Sequence, residues 1–391
     1  MDTIKGKRTI GLDMHPDVFS AAALVGENPL RAQVEWRHDR LETAQLETWA
    51  KKYLREGDTV VLEASGNSFE VASRLHACGI NAVVMESTQA GKIRDNFCND
   101  DIHSAVKLAM IYNSGLSKSV WTPDEKSRER REVLFAYRNA VKDATRARNR
   151  IRSTLNERCV RLPRGTRLTE ESGLKTALGL KTWSELQTEL IKGNFHQLWQ
   201  VEERRKKLEQ IMIKELCADP KWSRLWRLMG IRHCVAFALM AIIGDIHRFP
   251  SAKKLVGYIG LAPRRDQSGN NVKGYDKGIG QHARNDLRAL LLQSAQNAIE
   301  QKDSPLHKWG WKLLMVKNRN KAVVAVARKL TVSVWHLLMG HYSELAELPD
   351  SLHRKLLKLA TVLGKEQLKQ TGCQSREAFV QKHYKLIQLS A

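Results

Sequence analysis

The sequence predicts an α/β domain followed by an all-α remainder, and three observations carry that division. From Arg8 to about Trp121, short β-type runs alternate with helical patterns, as strands joined through crossover helices do. From Asp124 to Arg158 the chain holds neither Gly nor Pro, which marks one long helix. Beyond about Leu228 apolar residues recur at helical spacing around a single Gly-rich stretch, Gly257 to Gly280.

Taken in order, Arg8–Leu12 is a strand, the DMHPD segment reverses the chain, and Phe19–Val25 returns as the second arm of a hairpin. A third strand near Ala32–Trp36 completes it. Leu41–Leu54 reads as a helix and Thr59–Leu62 as a buried strand. Ser68–Cys78 is then a helix with Val71, Ala72 and Leu75 on one face and Gly79 as its stop. Ile80–Met85 closes a βαβ unit, which should be parallel and right-handed. A last helix spans about Ile102–Asn113.

Within the Gly-free stretch Tyr137, Val141, Ala144, Ile151 and Leu155 recur at roughly heptad spacing, the pattern of a coiled coil. Residues 160–220 look helical, with Trp183, Leu186, Leu190 and Trp199 as core. Two apolar runs, Cys234–Ile243 and Ala322–Met339, are respectively too short to span a bilayer and interrupted by Arg328, Lys329 and His336, so both read as buried helices. Helices fill the rest, the part after about Tyr342 as an appendage. The boundaries are 1–121 for the α/β domain, 122–220 for the helical coiled-coil linker, 221–345 for a mainly helical domain and 346–391 for a helical tail.

Charge narrows the partners. Against 65 Lys and Arg stand 42 Asp and Glu, a formal net charge of +23, which points to a polyanion. No signal peptide is visible in the polar start Met1–Arg8. The six cysteines form no CxxC pair and read as reduced thiols of a cytoplasmic protein. Between Arg138 and Arg152 the long helix carries Arg138, Lys142, Arg146, Arg148, Arg150 and Arg152 against one acid, Asp143. That face is a candidate nucleic-acid contact.

Asp13 follows the first strand and Glu63 follows the buried strand, so both carboxylates should reach one sheet edge. Two acids so placed repel unless a cation lies between them, and hard oxygen ligands select Mg²⁺, with Mn²⁺ as the alternative. Asp100 and Asp101, opening the next helix, can complete the pocket. Two such ions stabilise attacking and leaving oxygens in phosphodiester chemistry. In the Gly-rich stretch, Ser268 sits in RRDQSGNN among Arg264, Arg265 and Lys273, where backbone freedom at Gly269 beside positive charge suits a phosphate.

The segments GLDMHPDVFSAAAL, VVLEASG and NDDIHSAVKLA, and further on IGDIHRFPSAKKLVGYIGLAPRRDQSG and KGIGQHARNDLRALLLQSA, resemble the DEDD transposases of the insertion-sequence 110 family. The polar DIHSAVKLA variant and the extended tail are similar to its 1111 subgroup. The resemblance covers most of the chain. It implies an RNase H-like, RuvC-type N-terminal domain with Asp13, Glu63 and Asp101 as catalytic metal ligands, and a transposase domain whose nucleophile is Ser268. It also implies double-stranded donor and target DNA as substrates, a guide RNA encoded by the element, a homo-oligomer (dimer or tetramer) through the coiled coil, and no membrane. The family pattern places a second aspartate three residues after the first, where this chain has Ser104. Three carboxylates suffice with Ser104 or water in the shell, or Asp100 or His103 substitutes, or cleavage is impaired; the sequence leaves these open. Two other readings share parts of the pattern: a structure-selective Mg²⁺-dependent nuclease such as a junction resolvase, and a non-catalytic nucleic-acid-binding protein.

Overall fold

The computed structural model describes residues 8–26, 28, 31–86, 100–266, 275–280, 283–302, 304–341 and 349–389. They fall into two compact units divided between Asp124 and Glu125.

The first unit is built on a five-stranded sheet of order β3-β2-β1-β4-β5. β1 (Arg8–Met14), β2 (Val18–Val25) and β3 (Gln33–Glu42) form an antiparallel meander. β4 (Thr59–Glu63) and β5 (Asn81–Met85) run parallel to β1. α1 (Leu46–Tyr53) precedes β4, α2 (Ser68–Ala77) joins β4 to β5, and α3 is Asp101–Asn113. The hairpin and the βαβ unit stand where the alternation of the sequence placed them. The third strand is longer than its apolar residues suggested: it reaches Glu42, so α1 starts at Leu46 rather than Leu41. This edge strand is mostly exposed, and what holds it is a ring cluster in which His38 stacks on Trp36 and accepts from Trp49 Nε1 at 3.1 Å.

The sheet has two differently used faces. Ile10, Leu12, Phe19, Ala21, Val60 and Leu62 pack with Trp49, Val71 and Leu75 of the helices on one side. On the other, residues of opposite parity receive α3: Val61 and Met85 pack with Leu108 and Ile111. Arg8 is 5% exposed and is held by Asp58, also buried, and by Glu35 at 2.7 Å, so its charge is compensated rather than stranded.

In the second unit α4 (Glu125–Asn156) and α6 (Glu185–Ala218) are long helices joined through α5 (Glu171–Gly179). The pairs Arg130–Glu215, Arg148–Glu202 and Thr154–Asn194 climb along α4 while descending α6, so the two helices are antiparallel. Ala144, Ala147, Ile151 and Leu155 of α4 pack with Ile191, Phe195 and Leu198 of α6. The apolar seam read as a coiled coil is therefore covered within the chain. Two parts of that reading need correction. Val141 is on the outer face, and Leu186 and Leu190, expected in the core, are 74% and 57% exposed. The inner stripe of α6 is Ile191, Phe195 and Leu198, spaced i, i+4, i+7, which turns Leu186 and Leu190 away.

The remaining elements are α7 (Pro220–Ser223), α8 (His233–Ile243), α9 (Ala252–Ile259), β6 (Pro263–Asp266), β7 (Tyr275–Ile279), α10 (Asn285–Glu300), α11 (Pro305–Val316), α12 (Arg319–Leu338), α13 (Pro349–Gln370) and α14 (Arg376–Leu389). α8 is the centre: every residue from Val235 to Ile243 is buried, as an all-round apolar helix requires. Its last carbonyls are capped by two arginines, Arg131 to Ala241 and Ile242, and Arg248 to Ile242 and Ile243. The stretch after Tyr342, expected as an appendage, is part of this core through Leu352, Leu356, Leu359, Phe379 and Ile387. Among the described residues no helix is long and apolar enough to cross a membrane.

Candidate active site

The first unit brings carboxylates together by a simple device. Alternation along β1 puts Thr9, Gly11 and Asp13 on the face that receives α3. Thr9 donates to Asn113, the last residue of α3, at 2.7 Å. At Gly11 the helix lies directly on the strand: a Cβ there would sit 1.7 Å from the Ala105 carbonyl oxygen. α3 thus runs antiparallel to β1 with its backbone in van der Waals contact, and its first residue, Asp101, arrives beside Asp13.

In the first unit a metal-competent group follows. Carboxylate oxygens of Asp13 and Asp101 and a ring nitrogen of His15 all lie within 4.8 Å of one another, and His15 Nε2 is 3.5 Å from Asp101 Oδ1. Asp13 is half-buried, whereas His15 and Asp101 open to solvent. Glu63 stands on the neighbouring strand: Leu12 pairs with Leu62 in the parallel register, so the next position sets Glu63 beside Asp13 on the same face. It falls outside the 4.8 Å group. The location, at the carboxyl ends of adjacent parallel strands, is where open α/β sheets place their sites.

His15 escaped the sequence reading. DMHPD looks like a turn, and it is one, closed by His15 N–H donating to Val18 O at 2.9 Å. The available signal was the D-x-H spacing, which at period two keeps both side chains on one side. Two expected substitutes for the missing fourth acid are engaged elsewhere. Asp100 is the N-cap of α3, accepting from His103 N–H at 2.7 Å, with His103 Nδ1 at 2.6 Å from the same oxygen. The His103 backbone N–H first, then its ring, hold the Asp100 carboxyl below the usual range. Ser104 is buried one turn along α3 from Asp101.

In the second unit β6 and β7 pair as an antiparallel ribbon, with Arg264 opposite Lys277 and Arg265 opposite Asp276. Ser268, Gly269 and Lys273 lie outside the described residues. On α4, Lys142 and Arg146 are exposed, Arg146 reaching back to Asp143 at 3.2 Å. Arg150 is exposed and donates to Gln197, while Arg138 is partly tied to Asp286 at 3.5 Å. Arg148 pairs with Glu202 across the helix pair, so this part of the basic run serves packing. The basic face of α4 is therefore split between structure and solvent.

The sequence reading also passed over a half-buried network joining α6, α8 and α4. His233 Nε2 lies 2.6 Å from Glu209 Oε1, and the Cys234 thiol lies 3.2 Å from the Tyr137 hydroxyl. Burial alone would lower the His233 pKa, but hydrogen bonds with Cys234 and Glu209 outweigh it and raise it to about 9.

Residues 223–309 match the transposase family model described as IS116/IS110/IS902. The chain is 26% identical over 340 residues to the transposase of insertion sequence element IS1111A from Coxiella burnetii, covering 86% of this chain and 91% of that protein. It is 25% identical over 287 residues to a protein of Pseudomonas aeruginosa named as a family 20 transposase, covering 71% and 83% respectively. A protein of the Streptomyces clavuligerus insertion element IS116 is 27% identical over 155 residues, 39% of this chain and 37% of its own length. The family match lies on α8, α9, the β6–β7 ribbon and α10, and the IS1111A likeness extends over most of the chain, so the chain is similar to insertion-sequence transposases of the IS110 kind over most of its length.

Proposed function

We propose that this protein is a transposase that cuts and rejoins DNA strands with an RNase H-like metal pocket in its first unit and Ser268 as nucleophile in its second. The observation that carries the reading is the convergence of Asp13, Asp101 and His15 at the carboxyl edge of β1, with Glu63 adjacent on β4. The antiparallel meander continued by two parallel strands, order β3-β2-β1-β4-β5, supports the RNase H-like assignment.

The donor set suits a hard or borderline divalent cation: carboxylate oxygens from Asp13, Asp101 and Glu63, one imidazole, and the Ser104 hydroxyl or water to fill the shell. Bound there, Mg²⁺ or Mn²⁺ supplies charge stabilisation at the phosphoryl oxygens. The protein's own residues do the rest. Asp13 and Asp101 meet at the sheet edge because Gly11 lets α3 lie flat on β1. The Ser268 oxygen forms a bond to phosphorus as a strand P–O bond breaks, and attack by a second strand's terminal hydroxyl on that phosphoserine releases the serine. Phosphodiester energy is conserved in the protein link, so no nucleotide hydrolysis is required. Arg264, Arg265 and Lys273 are cations for the phosphate beside that loop, and Lys142, Arg146, Arg150 and Arg138 are contacts for the nucleic-acid backbone. Sequence choice is delegated to an element-encoded guide RNA pairing with donor and target, and a dimer or tetramer assembles the active sites that exchange needs.

The test is a divalent-cation-dependent strand-exchange assay with denaturing gels to trap protein–DNA links. Wild type should yield a covalent adduct on Ser268 by peptide mass spectrometry. Asp13→Ala should abolish both adduct and exchange, and Ser268→Ala should abolish the adduct. Cleavage by Ser268→Ala at the wild-type rate without any adduct would replace this reading with a hydrolytic nuclease.

A further inference from the structure

The second unit holds a cavity of about 710 Å³ between α10, the start of α8 and α13. Among the described residues its lining comes from the second unit alone. Its wall carries the cations Arg232, Lys302, Arg354 and Lys358, all exposed. Among the described residues no carboxylate pairs with any of them. The carboxylate on that wall, Glu209, is already bound to His233 and Arg205. A fifth cation, Lys355, is committed to the fold, donating to the carbonyls of Trp226, Leu228 and Ile231 at 2.6, 3.2 and 2.8 Å.

Unneutralised positive charge around a concave wall selects an anion, and the rest of the lining says what else that anion carries. Asn297 and Gln301 sit one turn apart on the α10 side, offering amides that both donate and accept. Met229 and Leu359 give apolar surface beside them. Charge for phosphates, amides for base edges and an apolar floor for base faces are the three requirements of an unpaired nucleotide. A cavity of this size takes a small ligand and does not admit a duplex. Along α13 the polar and charged positions Ser351, Arg354, Lys358 and Thr361 recur at i, i+3, i+7 and i+10. They form a stripe about 15 Å long, enough for more than one phosphate step.

We propose that this cleft binds an unpaired nucleic-acid strand, threading its phosphates along Arg354 and Lys358 and presenting bases to Asn297 and Gln301. The proposal depends on none of the catalytic assignments above. The chemistry is shared by two sources, an unpaired stretch of RNA and a DNA strand freed during exchange, and the experiment separates them.

The full-length protein is titrated against fluorescein-labelled oligouridine, oligothymidine and a short DNA duplex, with anisotropy read over a salt series. The cleft variant is Arg354→Glu with Lys358→Glu; the control is Lys175→Glu with Lys181→Glu, two exposed lysines far along the chain. The cleft variant should lose at least about tenfold in single-strand affinity, and its log–log salt slope should fall by about 1.4, two contacts at about 0.7 each. The control should stay within about threefold. Tighter binding of oligouridine assigns the cleft to RNA, and of oligothymidine to the displaced DNA strand. Independently of either variant, 4-thiouridine or 4-thiothymidine in the strand should photocrosslink wild-type protein within residues 297–302 or 351–362. Equal losses in both variants, duplex binding that depends on Arg354 and Lys358 as strongly as single-strand binding does, or crosslinks confined to other segments would overturn the assignment.

Discussion

At the scale of single residues, His15 sets which cation the proposed site would favour. Imidazole is a poor ligand for Mg²⁺ and a good one for first-row transition ions, so an Asp13–Asp101–His15 group should favour Mn²⁺ over Mg²⁺ more than an all-carboxylate pocket does. Electron paramagnetic resonance of added Mn²⁺ reads this without any turnover. His15→Ala should weaken Mn²⁺ by at least about tenfold while changing Mg²⁺ competition less, and Asp13→Ala should remove the site. Unchanged Mn²⁺ affinity in His15→Ala would make His15 a turn residue only. Asp13 and Glu63 were legible because each ends a recognisable strand, and strand ends can be read from a local run. His15 was not, because what brings it beside a second carboxylate is the landing of α3, far along the chain, against a glycine whose missing side chain is silent in a hydropathy pattern.

At the scale of elements, the junction of α6 with α8 stores a pH dependence. Burial pulls the His233 imidazolium down and the Glu209 carboxylate up. The hydrogen bonds of His233 with Cys234 and Glu209, and of Glu209 with His233, reverse both shifts. With its folded pKa raised to about 9 against an ordinary value near 6.5, His233 binds its proton more tightly in the folded state. Its contribution is therefore complete below about pH 6.5 and is lost as pH rises through about 9. Denaturant melts between those limits should show a fall approaching about 3 kcal/mol, flattened in His233→Phe. An equal slope in that variant would assign the loss to other groups. None of this is visible in the sequence, where Glu209 is one more acid on a charged helix. The helices themselves were legible from their periodicity. Which stripe faces inward was not: Leu186 and Leu190 satisfy a helical pattern as well as Ile191 and Phe195 do, and only the partner α4 decides between them.

At the scale of the molecule, the chain's end is the part that local patterns described least well, because an amphipathic helix reads the same whether it closes a core or hangs from one. α13 and α14 close a core. Leu352, Leu356, Leu359 and Leu363 pack with Trp226, Leu228 and Ile231, and Phe379 and Val380 extend the same cluster. Trp226 is fully buried and has the His383 ring edge-on at 6.3 Å. Lys355 ties α13 to three carbonyls that would otherwise be left without this donor. Removing residues 342–391 would take away at least seven large buried apolar side chains, each worth about 1.5–3 kcal/mol when buried, and uncover the core they pack on. The burial lost, about 10–20 kcal/mol, is as large as the whole stability of an ordinary domain, about 5–15 kcal/mol. A chain ending at His341 should therefore lose the near-ultraviolet dichroism of its tryptophans and bind a hydrophobic dye, while keeping helical far-ultraviolet dichroism. The full chain carrying Lys355→Met should show a milder version, a lowered melting midpoint with native tertiary signal. A truncated protein that melts cooperatively with the native near-ultraviolet spectrum would mean that α13 and α14 dock on a core already complete. In that case the cation-lined cleft whose wall α13 supplies would be an attachment that the transposase fold can do without.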